Sequence, residues 1–482
     1  MPERHNIHTT MNRIEVDHTI LQARSVLERV GTTEDYNTAL KKLGALVSAT
    51  SLDHEFRISL ADDFSFLESV VDVVTNSLTV DLEKSDIATL YVRVLRGMLI
   101  LLRNLVTSTK AVVDIPMLLL NVQHFITKIG PLNLFFRKCL STHIEILANL
   151  SLSQGKNFHC NLQLVSQTFD PVLTLIMEDE SIRQPFLIFL NGIFSHDDNV
   201  TSLLKDECNE NLLEALILGN SSSLRVGESV DEQVLYILEK IISDKSFKNW
   251  IEKKEVTDES TTILKIARLV ATTEKEWDNT QCIIIMEWVY SLFEKWADIA
   301  IRLLFSKEEG SKLQDIHAKL VIALDIISDL MKYHQAKQFL EFYNALDPLI
   351  RLFRAAHENG EIATKKASGA PIQRTGKVHF PMVKSLIVEI LAFIVHNSFE
   401  AQEKVRELHG LELLLSNCVI DDNNPFIKER AILCLRFVLE NNLKNQEFVA
   451  QLEAKEVVDD RALKEAGFEV NVEDGKVKLK KC

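Results

Sequence analysis

The stretch KSLIVEILAFIVHNSFEAQEKVREL, residues 384–408, aligns without gaps on KERAILCLRFVLENNLKNQEFVAQL, residues 428–452. The two segments begin 44 residues apart and share 8 of 25 aligned positions, among them Phe393 with Phe437. A period of about 40–47 residues is typical of armadillo and HEAT units, in which helices stack on neighbouring helices. The sequence therefore predicts an all-α protein, an armadillo/HEAT-like right-handed helical-repeat solenoid.

A weaker repeat runs through the first half of the chain. Asn104, Asn149 and Asn191 occupy matching places in LRNL, LANL and FLNG, with spacings of 45 and 42 residues. An asparagine amide offers both a donor and an acceptor, so a row of them on inner helices can hold an extended peptide. These three residues are the candidate peptide groove. The alternative is that each asparagine satisfies a local backbone group near a helix end, which the lack of an accompanying tryptophan row favours.

The chain divides by pattern into three parts. Residues 1–355 form an N-terminal helical-repeat region, residues 356–379 a flexible polar loop, and residues 380–482 a C-terminal armadillo domain. The loop contains HENGEIATKKASGAPIQRTGKV, in which Gly and Pro interrupt the helical pattern. Ser368 follows two lysines there and is a candidate modification site, the alternative being a solvated loop without that role. The number of repeats in residues 200–355 stays open.

Charge and hydropathy exclude several classes of protein. The formal net charge of −15 argues against a nucleic-acid partner, because phosphate binding needs clustered Lys and Arg. The strongest apolar run, Val94 to Val106, is interrupted by Arg96 and Arg103, so membrane insertion is not predicted. The first residues lack the apolar core of a secretory signal, so we expect a cytoplasmic protein.

Motifs for catalysis or metal binding are missing from the sequence. It contains no G-x-S-x-G, no Gly-rich phosphate loop and no H-E-x-x-H, so we predict that the protein is not an enzyme and has no cofactor. The seven cysteines form no C-x-x-C pair. His159-Cys160, and Cys418 with Asp421 and Asp422, are the nearest approaches to a metal site, but copper needs gathered soft ligands. No bound metal is expected.

The C-terminal residues resemble a known family. HGLELLLSNCVIDDNNPFIKERAILCLRFVLENN (409–442), NQEFVAQLEA (445–454) and GFEVNVEDGKVKLKK (467–481) are similar to the signature domain of the ataxin-10 family, and the segment from Cys418 to Glu429 is the most specific part. The resemblance extends from about Phe380 to the end. Length and plan resemble the fungal members, some of which are named copper transport proteins. The family implies an armadillo-like solenoid, a cytoplasmic location, no catalytic residues and a role in regulating cytokinesis.

These observations together predict a non-catalytic protein-interaction scaffold whose partners are other proteins. An importin-like carrier and a copper-homeostasis factor that acts through protein partners are the alternatives, and homo-oligomer formation stays open. A carrier is expected to have a groove lined by acids and tryptophans, which the sequence does not show.

The last residues predict a small β-hairpin within this helical protein. Residues 468–473 and 476–480 alternate apolar and polar side chains around Asp474-Gly475, a favoured two-residue turn. The turn pairs Glu473 with Lys476 and Val472 with Val477. We expect the hairpin to close the helical stack near Phe448 and Leu452, the alternative being a frayed tail.

Overall fold

The amphipathic segments of the chain form the helices that their periodicity predicts. A computed structural model describes residues 11–29, 31–79, 85–107, 113–219, 231–255, 257, 259–273, 276–306, 310–360, 378–452, 468–473 and 476–481. The described parts form an all-α solenoid with a two-stranded hairpin at the C-terminal end. The chain divides into two compact units, Met1–Val270 and Ala271–Cys482.

The helices of the first unit are mostly short, and many of them begin at a polar cap. Asn12 and Thr32 form capping boxes with Glu15 and Asp35, and Asp114 caps the sixth helix through the backbone nitrogen of Met117. The helices are α1 (Arg13–Glu28), α2 (Thr33–Leu52), α3 (His54–Ala61), α4 (Phe64–Thr75), α5 (Ser85–Val106), α6 (Ile115–Ile129), α7 (Phe136–Gln154), α8 (Leu162–Phe169), α9 (Leu173–Glu178), α10 (Glu180–Ile193), α11 (Asp197–Lys205), α12 (Glu210–Leu218), α13 (Glu232–Ile242), α14 (Phe247–Lys254) and α15 (Ser260–Ala271).

The second unit contains both segments of the 44-residue repeat, residues 384–408 and 428–452. Its elements are α16 (Asn279–Ser306), α17 (Ser311–Leu330), α18 (His334–Phe342), α19 (Leu346–Asn359), α20 (Val383–Val395), α21 (Phe399–Glu407), α22 (Gly410–Ser416), α23 (Ile427–Leu439), α24 (Leu443–Gln451), β1 (Phe468–Glu473) and β2 (Lys476–Lys481). The aligned segments are α20 with α21 and α23 with α24, and α20 packs against α23. Each repeat therefore buries its apolar face against the next one.

Neighbouring helices form the stack in both units. In the first unit α2, α5, α7, α10 and α13 pack side by side in chain order. The residues expected in the core are all buried, and they are Leu99, Leu102, Leu147, Leu150, Leu391 and Leu435. The solenoid core predicted from apolar striping is thus confirmed.

Most of the segment predicted as a loop, residues 356–379, lies outside the described residues, and its first four residues are helical. Helix α19 continues to Asn359, because Ala355 and Ala356 are buried in the core and hold its last turn. Gly360 then forms an isolated bridge with Val378. Ser368, the candidate modification site, lies outside the described residues.

The hairpin strands pair antiparallel in the register expected for a two-residue turn. Glu473 is opposite Lys476, Val472 opposite Val477, and Val470 opposite Leu479. The expected packing of this hairpin on the last helices stays a prediction. Within the described part of the chain, no helix has the length and apolar character needed to cross a membrane.

His143 is a buried polar residue in the middle of the first unit. Its Nδ1 lies 3.0 Å from the backbone oxygen of Cys139, and its Nε2 lies 3.2 Å from Oδ1 of Asn121. Burial away from water lowers the pKa of His143 from its ordinary value of 6.5 to about 4. The imidazole is therefore neutral in the folded protein at neutral pH, and its role is structural.

This burial predicts a pH dependence of stability. The folded-state pKa is depressed, so the unfolded chain takes up the proton first, and stability falls as the pH drops from about 6.5 toward 4. Between pH 7 and pH 5 the contribution of His143 should decrease by about 2 kcal/mol. We expect His143→Gln to show a smaller loss of stability than the unsubstituted chain over this interval in urea unfolding followed by circular dichroism. Equal losses in the two proteins would contradict the buried neutral imidazole.

Candidate functional site

Helices α5, α7 and α10 each leave one stripe of side chains open to solvent along the stack. On α5 the partly or fully exposed positions recur at intervals of three or four residues, from Arg93 to Arg103. We call the surface formed by these stripes and the start of α13 the inner groove. Its open residues are Arg93, Arg96, Ile100 and Arg103 on α5, Lys138, Glu145, Asn149 and Leu152 on α7, Gln184, Ile188 and Asn191 on α10, and Glu232, Gln233 and Tyr236 on α13.

Contacts between the helices keep α5, α7 and α10 parallel and in register. Arg103 Nη1 lies 2.6 Å from Glu145 Oε2, and Ser141 Oγ donates to the backbone oxygen of Ser181 at 3.0 Å. At the other end of α10, a Cβ added to Gly192 would lie only 2.4 Å from Cβ of Ser151. A glycine is needed there, because α7 and α10 approach so closely. This close approach brings the C-terminal ends of both helices to the same end of the groove.

Asn104 serves the stacking of helices. The residue is 8% exposed, its Nδ2 donates to Thr50 Oγ1 at 3.2 Å, and its Oδ1 accepts from Arg103 Nη2 at 3.3 Å. The first of these bonds ties α5 to α2. Both ends of the amide are therefore used within the protein, and neither is open for a peptide in this arrangement.

Asn149 and Asn191 lie on the open side of α7 and α10. Both are partly exposed, and Asn191 Nδ2 donates to Gln233 Oε1 on α13. The Oδ1 atom of Asn191 is buried and accepts no hydrogen bond within the described structure. A buried acceptor without a donor is costly, so an N–H group of a ligand would be favoured there.

A pocket of about 460 Å³ surrounds Asn191. Beside Asn191, its polar lining comes from Ser151, Ser195, Glu232 and Gln233. Leu152, Ile188 and Tyr236 supply apolar walls. Leu152 is 68% exposed and Tyr236 is 37% exposed, so large apolar side chains face solvent beside a polar acceptor. This combination suits one apolar side chain of an extended segment together with its backbone amide.

Of the three residues considered for metal binding in the C-terminal region, Cys418 and Asp421 are used for packing, and Asp422 is exposed. Lys384 Nζ lies 2.8 Å from Asp421 Oδ2, and both side chains are at most 2% exposed. Asn424 Nδ2 donates to the same Oδ2 atom at 2.9 Å. A lysine ammonium already occupies the place that a cation would take. Burial raises the pKa of the Cys418 thiol, which donates to the backbone oxygen of Leu414 at 3.4 Å.

The pair at His159-Cys160 also has a packing role. The ring of His159 stacks on that of His196 with centroids 4.8 Å apart, and His196 Nε2 lies 3.0 Å from the backbone oxygen of Phe158. Burial raises the pKa of Cys160 to about 12, which keeps the thiol protonated at neutral pH. Within the described residues, no three His, Cys, Asp or Glu side chains are grouped to hold a metal ion.

The buried Lys384–Asp421 pair was not predicted from the sequence. It belongs to a wider set of contacts between α20 and the segment before α23, in which Ser385 Oγ donates to the backbone oxygen of Pro425 at 2.7 Å and the Met382 nitrogen donates to Asn423 at 2.8 Å. A signal was present, because Lys384 begins the apolar run SLIVEILAFIV. A lysine on a helix that is buried nearly all round needs an acidic partner.

Comparison with known proteins agrees with these features of the C-terminal region. Residues 383–480 match the family model described as the spinocerebellar ataxia type 10 protein domain. This match begins at the first residue of α20 and includes the whole segment that carries Asp421 and Asn424.

Relatives are similar over far more than this domain. The chain is 38% identical to an ataxin-10 homolog of Debaryomyces hansenii, with 96% of each chain covered. It is 31% identical to an ataxin-10 homolog of Candida glabrata over 92% of this chain and 95% of the relative. Similarity to bovine ataxin-10 is 32% identity over 32% of each chain. The protein thus belongs to the ataxin-10 family.

Proposed function

We propose that the protein is a non-catalytic interaction scaffold that holds an extended segment of a partner protein in the inner groove. The observation that carries this proposal is the pocket at Asn191, where a buried amide oxygen without a donor lies beside exposed Leu152 and Tyr236 and partly exposed Ile188. Asn149 offers a second amide on the neighbouring helix. Of the three candidate asparagines, these two form the proposed binding set, while Asn104 supports them from within the helix stack.

The arrangement suits peptide binding more than catalysis. At the Asn191 end the groove contains amides, hydroxyls, apolar side chains and the carboxylate of Glu232, and Glu145 on the neighbouring helix is paired with Arg103. Amide pairs fix the backbone of a bound segment, and apolar walls select one side chain. We further propose that the protein acts in the cytoplasm and takes part in regulating cell division, which rests on membership of the ataxin-10 family.

A peptide selection on the purified full chain tests this proposal. Ligands would be selected from a phage-displayed library of random twelve-residue peptides, and their dissociation constants measured by fluorescence polarisation. We expect Asn149→Ala/Asn191→Ala to weaken the selected peptides by about tenfold or more, because each lost hydrogen bond contributes roughly 0.5–1.5 kcal/mol. The control is Asn211→Ala, since Asn211 is an exposed asparagine on α12, away from the groove.

Selected peptides should bind Asn211→Ala as tightly as they bind the unsubstituted chain. If no peptide is enriched, or if the double variant binds all selected peptides unchanged, the inner groove is not a peptide-binding site. Thermal unfolding of each variant shows whether the fold is retained. We expect that it is, because both asparagines are on the open face.

A further inference from the structure

Positive charge collects at the end of the inner groove opposite the Asn191 pocket. Arg93 is exposed and Arg96 is partly exposed, one turn apart on α5. Lys138 is exposed near the start of α7, and the adjacent Cys139 thiol donates to the backbone oxygen of Val92 at 3.8 Å. This contact brings Lys138 to the level of Arg93. Three cations on two neighbouring helices therefore share one end of the groove.

Other basic residues on the same helices have acidic partners, whereas these three do not. Arg103 pairs with Glu145, Arg137 with Asp179 at 2.9 Å, and Arg183 with Glu180. Within the described parts of the chain, Arg93, Arg96 and Lys138 form no ion pair with an acidic side chain.

Arg96 also has an unused donor. Its Nε atom is buried and has no acceptor among the described residues. A buried guanidinium donor without an acceptor is unfavourable, and an incoming carboxylate is the group that fits its forked geometry best. The whole chain carries a net charge of −15, so a cluster of cations without acidic partners differs from the acidic character of the rest of the protein.

We infer that the inner groove selects acidic segments, with an apolar residue in the Asn191 pocket and aspartate or glutamate side chains at Arg93, Arg96 and Lys138. This inference rests on the proposed function and adds the chemistry of the partner to it. The helix rise and interhelical spacing place the cations roughly 20–30 Å from the pocket. An extended chain spans that distance in about six to nine residues. The occupant is therefore an extended polypeptide with one apolar anchor and a cluster of acids about six to nine residues away.

The test uses designed, fluorescein-labelled twelve-residue peptides and the full chain. The acidic probe has a leucine near one end and four aspartates near the other, separated by glycine and serine, and it is made in both sequence orders. The neutral probe has asparagine in place of every aspartate. Binding is measured by fluorescence polarisation at 50 and 200 mM NaCl. An oligothymidylate of equal charge serves as a third probe.

We expect the better of the two acidic orders to bind at least tenfold more tightly than its neutral counterpart at 50 mM NaCl, and to lose most of this advantage at 200 mM. Arg93→Gln/Arg96→Gln should remove most of the preference. Arg302→Gln/Arg436→Gln is the matched control, because it makes the same change in net charge at two exposed arginines of the second unit. It should leave the preference unchanged.

The outcomes separate this inference from the proposed function. If the acidic and neutral probes bind equally while Asn149→Ala/Asn191→Ala weakens both, the groove binds peptides but the acidic preference is wrong. If the oligothymidylate competes as well as the acidic peptide does, the cations attract any polyanion and the inference is overturned. Equal losses in the two arginine double variants would also overturn it, because the effect would then be one of net charge. If neither probe binds in the groove, both proposals fail.

Discussion

Replacing Lys384 by methionine is expected to destabilise the second unit by about 3–5 kcal/mol, because the Asp421 carboxylate is left buried without its cation. Methionine retains most of the volume of the lysine stem, so the loss should come from the unpaired charge more than from a cavity. Asn424 and the backbone nitrogen of Asn423 still donate to Asp421, but neither carries a compensating charge. Urea unfolding followed by circular dichroism measures the change.

The double variant Lys384→Met/Asp421→Leu is the control for this prediction. Replacing a whole buried ion pair by apolar residues of similar volume is often neutral or stabilising. We therefore expect the double variant to recover much of the stability lost in Lys384→Met. A single variant that unfolds at the same urea concentration as the unsubstituted chain would show that the pair is not buried in solution. Equal instability of the single and double variants would show that packing around position 384 matters more than its charge.

The second large effect is expected for Leu435→Asp. Leu435 lies on α23 and is 8% exposed, and α23 packs against α20. Burial of a leucine side chain is lost, and a carboxylate without a partner enters the core, so destabilisation of roughly 4 kcal/mol or more is expected. In a repeat protein this damage is passed on, because neighbouring repeats stabilise one another. Limited proteolysis should then cleave residues 383–452 at a higher rate.

Leu443→Asp is the matched control, because Leu443 on α24 is 73% exposed and belongs to the same repeat. An exposed substitution of this kind usually changes stability by less than about 0.5 kcal/mol. A large effect of Leu443→Asp together with an unchanged Leu435→Asp would mean that the buried and exposed faces of the last repeat had been interchanged.

The C-terminal domain and the inner groove have different kinds of polar residues. In the segment from Cys418 to Glu429, polar groups bond to α20: the Asp421 carboxylate accepts from Lys384 Nζ, and the backbone oxygen of Pro425 accepts from Ser385 Oγ. Arg96 and Asn191 in the inner groove have hydrogen-bonding atoms without a partner among the described residues, as Asn424 does in this segment, but Arg96 and Asn191 are partly exposed whereas Asn424 is 1% exposed. A partner would therefore gain most in the groove, while the family-specific segment acts first on the stability of the fold.

Local chemistry is why so much of this fold could be predicted from the sequence. Apolar residues at helical spacing specify which face of each helix is buried, and Leu99, Leu147 and Leu391 are in the core as expected. The hairpin register follows from a two-residue turn and strict alternation, both of which lie within fourteen consecutive residues. Asn104, Asn149 and Asn191 occupy matching positions on α5, α7 and α10, because a repeat puts equivalent residues on equivalent helices.

Only the tertiary structure decided what each of those polar residues contacts. Asn104 is engaged by Thr50, which is 54 residues away, while Asn191 retains a free oxygen beside Gln233. Asp421 meets Lys384 across 37 residues, although the sequence offered it as a metal candidate. The physical reason is the same in each case. Helical periodicity determines which way a side chain points, but its hydrogen bonds and ion pairs depend on the residue that the next helix places opposite it, and that is determined by how the helices pack.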